Sequence, residues 1–448
     1  MPDGSGDLLI RGATVISMDP AIGDLLTGDV AVRQGAITQV GERVDAGQDA
    51  EVIEATGLIA LPGFVDTHHH CWNSVLRGVI DSGPLDYYKV KRVLGPHFDA
   101  EDAYWATRLA LAELAWSGVT TVHDWAHNVR GPEAADAALR AHDDGGLRGR
   151  YSYGTPEGDS REETMDLADL RRVHGAWDSL VSGDRLSLGL ALRGPWRSAA
   201  GVRRQEVAVA RELGIPMTIH FTTLEKDGVR GAKVLDDEGL LASDVQLVHA
   251  IGTTADERAR IAASGATVSV SPLSEMRIAM GFPPVVEMRE SGVPLSLSLD
   301  TLSLSGNADM FATMRFALFE ERARHESMEV LTPRDVLELA TIGGARGLGL
   351  GETVGSLTPG KRADLILVRT DSLAVAPAAD PVHLLVHSAQ PSDVDTVIAD
   401  GRILKRGGRL IGVDADEIVR QGEAVFARVA ERATWTGPPL LRSARAAR

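Results

Sequence analysis

The first sixty or so residues alternate apolar and polar positions in short runs: DLLIRGATVISMD, GDVAVRQGAITQVG and EVIEATGLIALPG. Gly and Asp break the runs, and the β-branched residues within them predict short strands. From about residue 63 to about residue 345 the period changes. Compact apolar runs (GVTTVHDWAH, RLSLGLALRGP, IPMTIHF, DVQLVHAI, GATVSVSP, VPLSLSLD) alternate with amphipathic stretches such as AEDAYWATRLALAELAWSG and GVRRQEVAVARELG. Alternation of this kind predicts a parallel sheet covered by helices. With the run ending in GFVDTHHH there are seven strand candidates, and LRGRYSYGTP supplies an eighth, which is the number in a (β/α)8 barrel. After about residue 355 short strands return, in GSLTPGKRADLILV and VDTVIADGRILKRGGRLI. The expected fold class is α/β. Residues 63–350 form a TIM-type barrel, residues 1–62 and 351–448 build a small β-sandwich beside it, and ADEIVRQGEAVFARVAERA adds a helix before the tail.

Composition narrows the partners. The 448 residues are 44% hydrophobic and 24% charged, the balance of a globular protein with a large core. The formal net charge is −17 and no basic block stands out, so the overall field repels nucleic acid. No apolar run approaches the roughly 18 residues that a membrane span needs. The start, MPDGSGDLLIRGATV, lacks the pattern of a signal peptide, and Cys71 is the single cysteine. A disulfide framework and a Cys-rich zinc site are thereby excluded, and a reducing cytoplasm is the expected location. The expected partner is a small-molecule substrate, with no nucleic acid and no membrane, and the chain is expected to assemble as a homo-oligomer, a dimer or larger.

Chemistry concentrates at strand ends. In a strand, residues two apart point the same way, so His68 and His70 share one face while His69 and Cys71 take the other. Catalytic groups of TIM-type barrels sit at the C-terminal ends of strands. His220 closes IPMTIH, His249 closes DVQLVH, Asp300 closes VPLSLSLD, and His127 lies just past GVTTVHDW. Three histidines with one carboxylate suit zinc, iron or another borderline divalent ion. Trp72 continues the parity of His68 and His70 and is a candidate to stack on a planar ring; Asn73 and Arg77 follow it. Arg193 ends a strand, where a guanidinium could clamp a carboxylate or a carbonyl. No HExxH, P-loop or GxSxG motif is present.

These residues carry a resemblance. PGFVDTHHH resembles the GF-x-D-x-H-x-H signature of the amidohydrolase superfamily, and His220, His249 and Asp300 follow in that family's order. The segment LTPRDVLELATIGGARGLGLGETVGSLTPGKRADLILV is similar to the tail of the cytosine-deaminase/chlorohydrolase branch, as is DTVIADGRILKRGG. The resemblance spans about residues 8 to 412. It implies a distorted (β/α)8 barrel, a flanking sandwich and a catalytic divalent metal. By matching positions it implies His68, His70, His220 and Asp300 as ligands, and His249 as a ligand or a donor to the water. Binuclear members bridge two metals through a modified lysine on the fourth strand. The corresponding run, LSLGLALRGP, has Arg193 and no lysine, which implies one metal.

Two positions depart from the family pattern. The branch reads H-x-x-E after the fifth strand, and here HFTTLE puts Thr223 at the glutamate, with Glu225 two residues on. A threonine hydroxyl cannot shuttle protons as a carboxylate does. After the seventh strand, SPLSEMRIAMGFPP puts Glu275 where the family often has asparagine, so Glu275 is a candidate for the displaced acid/base group. Asp300 is the candidate to take the proton of the attacking water. The expected activity is metal-dependent hydrolysis of a C–N or other C–heteroatom bond at an sp2 carbon of a cyclic or amide-like small molecule, with deaminase, dechlorinase and cyclic-amidase versions open. A lyase or decarboxylase on the same scaffold, or a non-catalytic binding protein, are the alternatives. Turnover of a substrate panel with and without chelator separates them.

Overall fold

The computed structural model describes residues 6–222 and 230–441. Five strands come first: β1 (Leu8–Ile16), β2 (Asp24–Arg33), β3 (Ala36–Gly41), β4 (Glu51–Glu54) and β5 (Leu58–Pro62). Eight follow with helices between them: β6 (Phe64–His69), β7 (Val119–Ala126), β8 (Arg148–Gly154), β9 (Leu186–Leu192), β10 (Met217–Thr222), β11 (Val245–Ile251), β12 (Thr267–Val270) and β13 (Leu295–Leu297). The last four are β14 (Leu365–Arg369), β15 (Val394–Ala399), β16 (Arg402–Arg406) and β17 (Arg409–Leu410).

Strands β6 to β13 pair in sequence order, parallel throughout, into an eight-stranded sheet. The sheet closes toward a barrel through the backbone around Asp300. His70 N donates to Asp300 O at 2.7 Å, and Asp300 N donates to His68 O at 3.0 Å. The seam of the barrel therefore runs through three of the expected metal ligands. The other nine strands form one mixed sheet from both ends of the chain, with β5 and β14 antiparallel at its centre, and it packs an apolar core of its own. Its last N-terminal strand leads into β6 through Gly63, where a Cβ would lie 2.2 Å from the Thr120 side chain.

Local sequence explains the helices. Ala100–Ser117 starts at a capping box between Asp99 and Asp102 and stops at Gly118, whose φ of +101° suits glycine, and β7 begins one residue later. Ala255–Ser264 repeats the design with Thr254, Glu257 and Gly265. The terminal helix spans Ala415–Arg432. Among the described residues no helix is long and apolar enough to cross a membrane.

The barrel interior beneath the strand ends is polar and hydrogen-bonded across strands. Thr67 Oγ1 is within hydrogen-bond distance of Ser269 Oγ (2.8 Å) and Ser296 Oγ (2.9 Å) and donates to Leu297 O (2.9 Å). His123 bridges Thr67 O and Ser152 Oγ at 3.0 and 2.7 Å. Hydrogen bonds across strands fix the heights of the strand ends, which is what a metal site at the rim requires.

Candidate metal centre and active-site cavity

The strand ends bring five side chains together. Ligand atoms of His68, His70 and His220 lie within 4.8 Å of one another, as do those of His68, His249 and Asp300. Asp300 Oδ1 is 3.4 Å from Nε2 of both His68 and His70. His249 and Asp300 hold left-handed backbone angles, φ +76° and +61°. Such conformations are uncommon for residues with side chains and gather at functional sites.

The donor set fits a divalent cation. His68 is fully buried, yet neither ring nitrogen has a hydrogen-bond partner. An orphaned buried imidazole calls for an explanation, and a metal supplies one. Nδ1 of His70 is bonded to Trp125 O at 3.0 Å, which leaves Nε2 for the cluster. Burial pushes His70 and His220 well below the ordinary imidazole range, and it lowers His68 despite the neighbouring Asp300. Burial alone would raise Asp300, but the His68 and His249 rings outweigh it and hold the carboxyl at about 2. Neutral imidazoles and an ionised carboxylate are the forms that bind metal.

The expected outward pair serves structure. His69 Nδ1 meets Asp66 Oδ2 at 2.7 Å, and Asp66 Oδ1 accepts from Leu299 N at 3.0 Å, tying β6 to the residue before Asp300. Cys71 shares a second buried donor cluster with Asp124 and His142. That cluster is internally satisfied: His142 Nε2 pairs with Asp124 Oδ2 at 2.9 Å, the Cys71 amide donates to Asp124 Oδ1 at 3.2 Å, and burial keeps the thiol protonated.

A cavity of about 440 Å³ opens over the histidine cluster. His70, His220, His249 and Asp300 form its floor, and Tyr87, Tyr88, Lys91, Trp196, Arg197 and Met280 stand among its walls. Gly194 lets the loop after β9 pass close to the floor, since a Cβ there would lie 2.6 Å from His220 O. Lys91 is buried and reaches Glu157 Oε2 at 3.2 Å and His127 Nε2 at 3.3 Å.

Several expected contacts fall elsewhere. Trp72 does not line the cavity; β6 ends at His69 and a 3₁₀ helix, Cys71–Leu76, replaces strand alternation. Trp72 instead packs on Phe98 and donates to the His127 ring. Arg77 pairs with Glu113, away from the cavity. Arg193 turns outward to the carbonyls of Ser160 (2.8 Å) and Glu163, and Arg197, four residues on, reaches the cavity in its stead. His127 stands behind Lys91. Glu275 is fully buried against His249, Oε1 to Nδ1 at 2.9 Å, so it can act only through that ring. Burial raises the Glu275 carboxyl, and its hydrogen bond to His249 holds that imidazole above the ordinary range. Thr223 and Glu225 lie outside the described residues. Sequence reasoning missed Lys91, Glu157, Arg197 and the two tyrosines. DYYKVKRVLG carried the one available signal, an amphipathic turn with a basic residue on its apolar side.

Comparison with known proteins agrees with this geometry. The chain is 32% identical to a 5-methylthioadenosine/S-adenosylhomocysteine deaminase of Desulforudis audaxviator, over 95% of this chain and 99% of that protein. It is 31% identical to a 5'-deoxyadenosine deaminase of Methanosarcina mazei, over 93% and 97%. The crystal structure of an adenosine deaminase from Xanthomonas campestris with bound zinc superposes with a TM-score of 0.86 at 25% identity, covering 96% of this chain and all of that one. The model of the amidohydrolase family matches residues 59–404, from the strand before the histidine run to the far side of the mixed sheet, and the chain belongs to that family.

Proposed function

We propose that the chain is a metal-dependent deaminase-type hydrolase that cleaves a C–N bond, other than a peptide bond, at an sp2 carbon of a cyclic or amide-like small molecule. The observation that carries the reading is the cluster of His68, His70, His220, His249 and Asp300 at the strand ends, with the last four on the floor of one cavity. His68, His70, His220 and Asp300 would hold one divalent ion, with zinc the best match and iron second. When bound, such an ion supplies the positive charge that acidifies water toward a pKa of about 7 and polarises the scissile group.

The chain's own residues do the rest. Asp300, kept ionised, accepts the proton of the attacking water. His249, its Nδ1 engaged by Glu275, turns its other nitrogen to the cavity and steadies the attacked group. Lys91 offers N–H donors from the wall to charge that develops on the leaving side. The walls and the depth of the cavity exclude bulk water. The same reading takes a homo-oligomer as the assembly and the cytoplasm as the location.

The test strips the full chain with chelator, reloads it with zinc or iron, and follows ammonia release. The panel holds 5-methylthioadenosine, S-adenosylhomocysteine, 5'-deoxyadenosine, aminopyrimidines and cyclic amides, the last scored by ring opening. Metal-dependent C–N cleavage of at least one member is expected. Turnover that persists without metal, or release of carbon dioxide in place of C–N cleavage, contradicts the reading.

A further inference from the structure

Among the described residues, the charged groups on the cavity wall are Lys91, Arg197 and Asp300. Asp300 belongs to the floor cluster, so the walls themselves are cationic, in a chain of net charge −17. Lys91 already shares its charge with Glu157. Arg197 does not: among the described residues no carboxylate lies within ion-pair distance of its guanidinium. It sits at the cavity mouth with its guanidinium carbon 4.7 Å from the centre of the Tyr88 ring. Arg197 also hydrogen-bonds the Tyr88 hydroxyl, so the tyrosine positions the guanidinium, and with five N–H donors it keeps others to receive a planar carboxylate. Tyr88 is itself held on the helix Tyr87–Leu94, capped by Asp86, so the platform is part of the fold. Across the cavity Ile251, Ile278 and Met280 present apolar surface. A ligand that satisfies both sides has a flat apolar body and an anionic end.

Resting on the C–N hydrolase reading, we propose that the substrate is an anion: a planar heterocycle or cyclic amide bearing a carboxylate, which Arg197 holds at the cavity mouth while the scissile carbon lies over the histidine cluster. A neutral nucleoside lacks the group that Arg197 is placed to bind. The apolar wall and the Tyr88 platform then select for flat substrates, and the guanidinium sets which end enters first.

The probes are 2-naphthoate and 2-naphthamide, purine-sized and matched except for charge, titrated calorimetrically into the full chain, both zinc-loaded and chelator-treated. Naphthoate is expected to bind at least about tenfold tighter than naphthamide in both forms, the usual contribution of a charge-assisted hydrogen bond. Arg197→Gln should bring the two affinities within about twofold of each other, and because Arg197 is exposed the variant should fold. Lys89→Gln makes the same change of charge on an exposed residue outside the cavity wall and should keep the preference. Equal affinities in the parent chain, no binding of naphthoate, or a preference that survives Arg197→Gln overturns the proposal. So does a preference confined to the zinc-loaded form, which would mean that the carboxylate ligates the metal. Ammonia release or ring opening tests the hydrolase reading separately, so failure of the anion preference is told apart from failure of that reading.

Discussion

Replacing Glu275 by Gln isolates what the buried carboxylate does for His249. Glu275 Oε1 accepts from Ser271 N at 2.8 Å and faces His249 Nδ1 at 2.9 Å, while Oε2 is buried with no partner. The glutamine carbonyl keeps both contacts, and its amide nitrogen takes the place of Oε2. An unpaired buried donor costs about 1–3 kcal/mol, and since the wild-type oxygen is also unpaired the net loss should fall at the low end. The negative charge next to His249 is removed outright. Glu275 does not reach the cavity, so turnover should fall by roughly ten- to a hundredfold, at or below the low end of the about 10²–10⁴-fold contributed by a group that itself carries a proton. The His249 imidazole is raised in the folded chain by that hydrogen bond. Its contribution to stability is therefore complete below the ordinary value of 6.5 and is lost as pH rises through the raised folded value. In Glu275→Gln that limb should move to lower pH, in both the stability and the kcat profiles. The assay pairs urea unfolding across pH with kcat, KM and zinc content on one preparation. Zinc-loaded Glu275→Gln with turnover within about twofold of the parent, and an unmoved pH profile, would refute the coupling through His249.

The remaining predictions use the other members of the cluster. His70→Ala should lose most bound zinc, whereas His69→Ala should keep about one per chain but lose roughly 3–5 kcal/mol of stability by stranding Asp66, as inductively coupled plasma analysis and urea melts would show. Asp300→Asn keeps an oxygen near the ligands but cannot accept a proton, so it should retain some zinc and lose nearly all turnover in single-turnover assays. The depressed Asp300 carboxyl stabilises the metal-free chain above its ordinary value of 3.8, and this is lost as pH falls through about 2; acid unfolding of chelator-treated protein, followed by circular dichroism, should be shallower in that window for Asp300→Asn.

What was legible in the sequence follows from how each feature is encoded. Barrel strands are short apolar runs with sharp ends, so His68, His220, His249 and Asp300 could be read as strand-end groups before any contact was known. Strand parity failed one residue later. The chain leaves β6 at His69 for a 3₁₀ turn, and Trp72 follows that turn into the core beside Phe98. The fourth strand shows the same limit. Arg193 ends the apolar run and looked like the clamp, but the loop through Gly194 and Pro195 rotates it outward and brings Arg197 in. Lys91 and the tyrosines come from a short helix whose approach to the cavity is set by packing between distant elements, which no local period encodes. The short strand-like runs at the two ends of the chain predict one β-rich unit, yet the pairing of β5 with β14 is a contact between residues about 300 apart, visible only in the fold.

Anomalous diffraction at the zinc edge, from crystals of the full chain grown with one equivalent of zinc, bears most directly on where the chemistry lies. A single strong peak among His68, His70, His220 and Asp300 is expected. A peak at Cys71, Asp124 and His142 with none over the cavity floor would place the metal away from the cavity and contradict the assignment of the site.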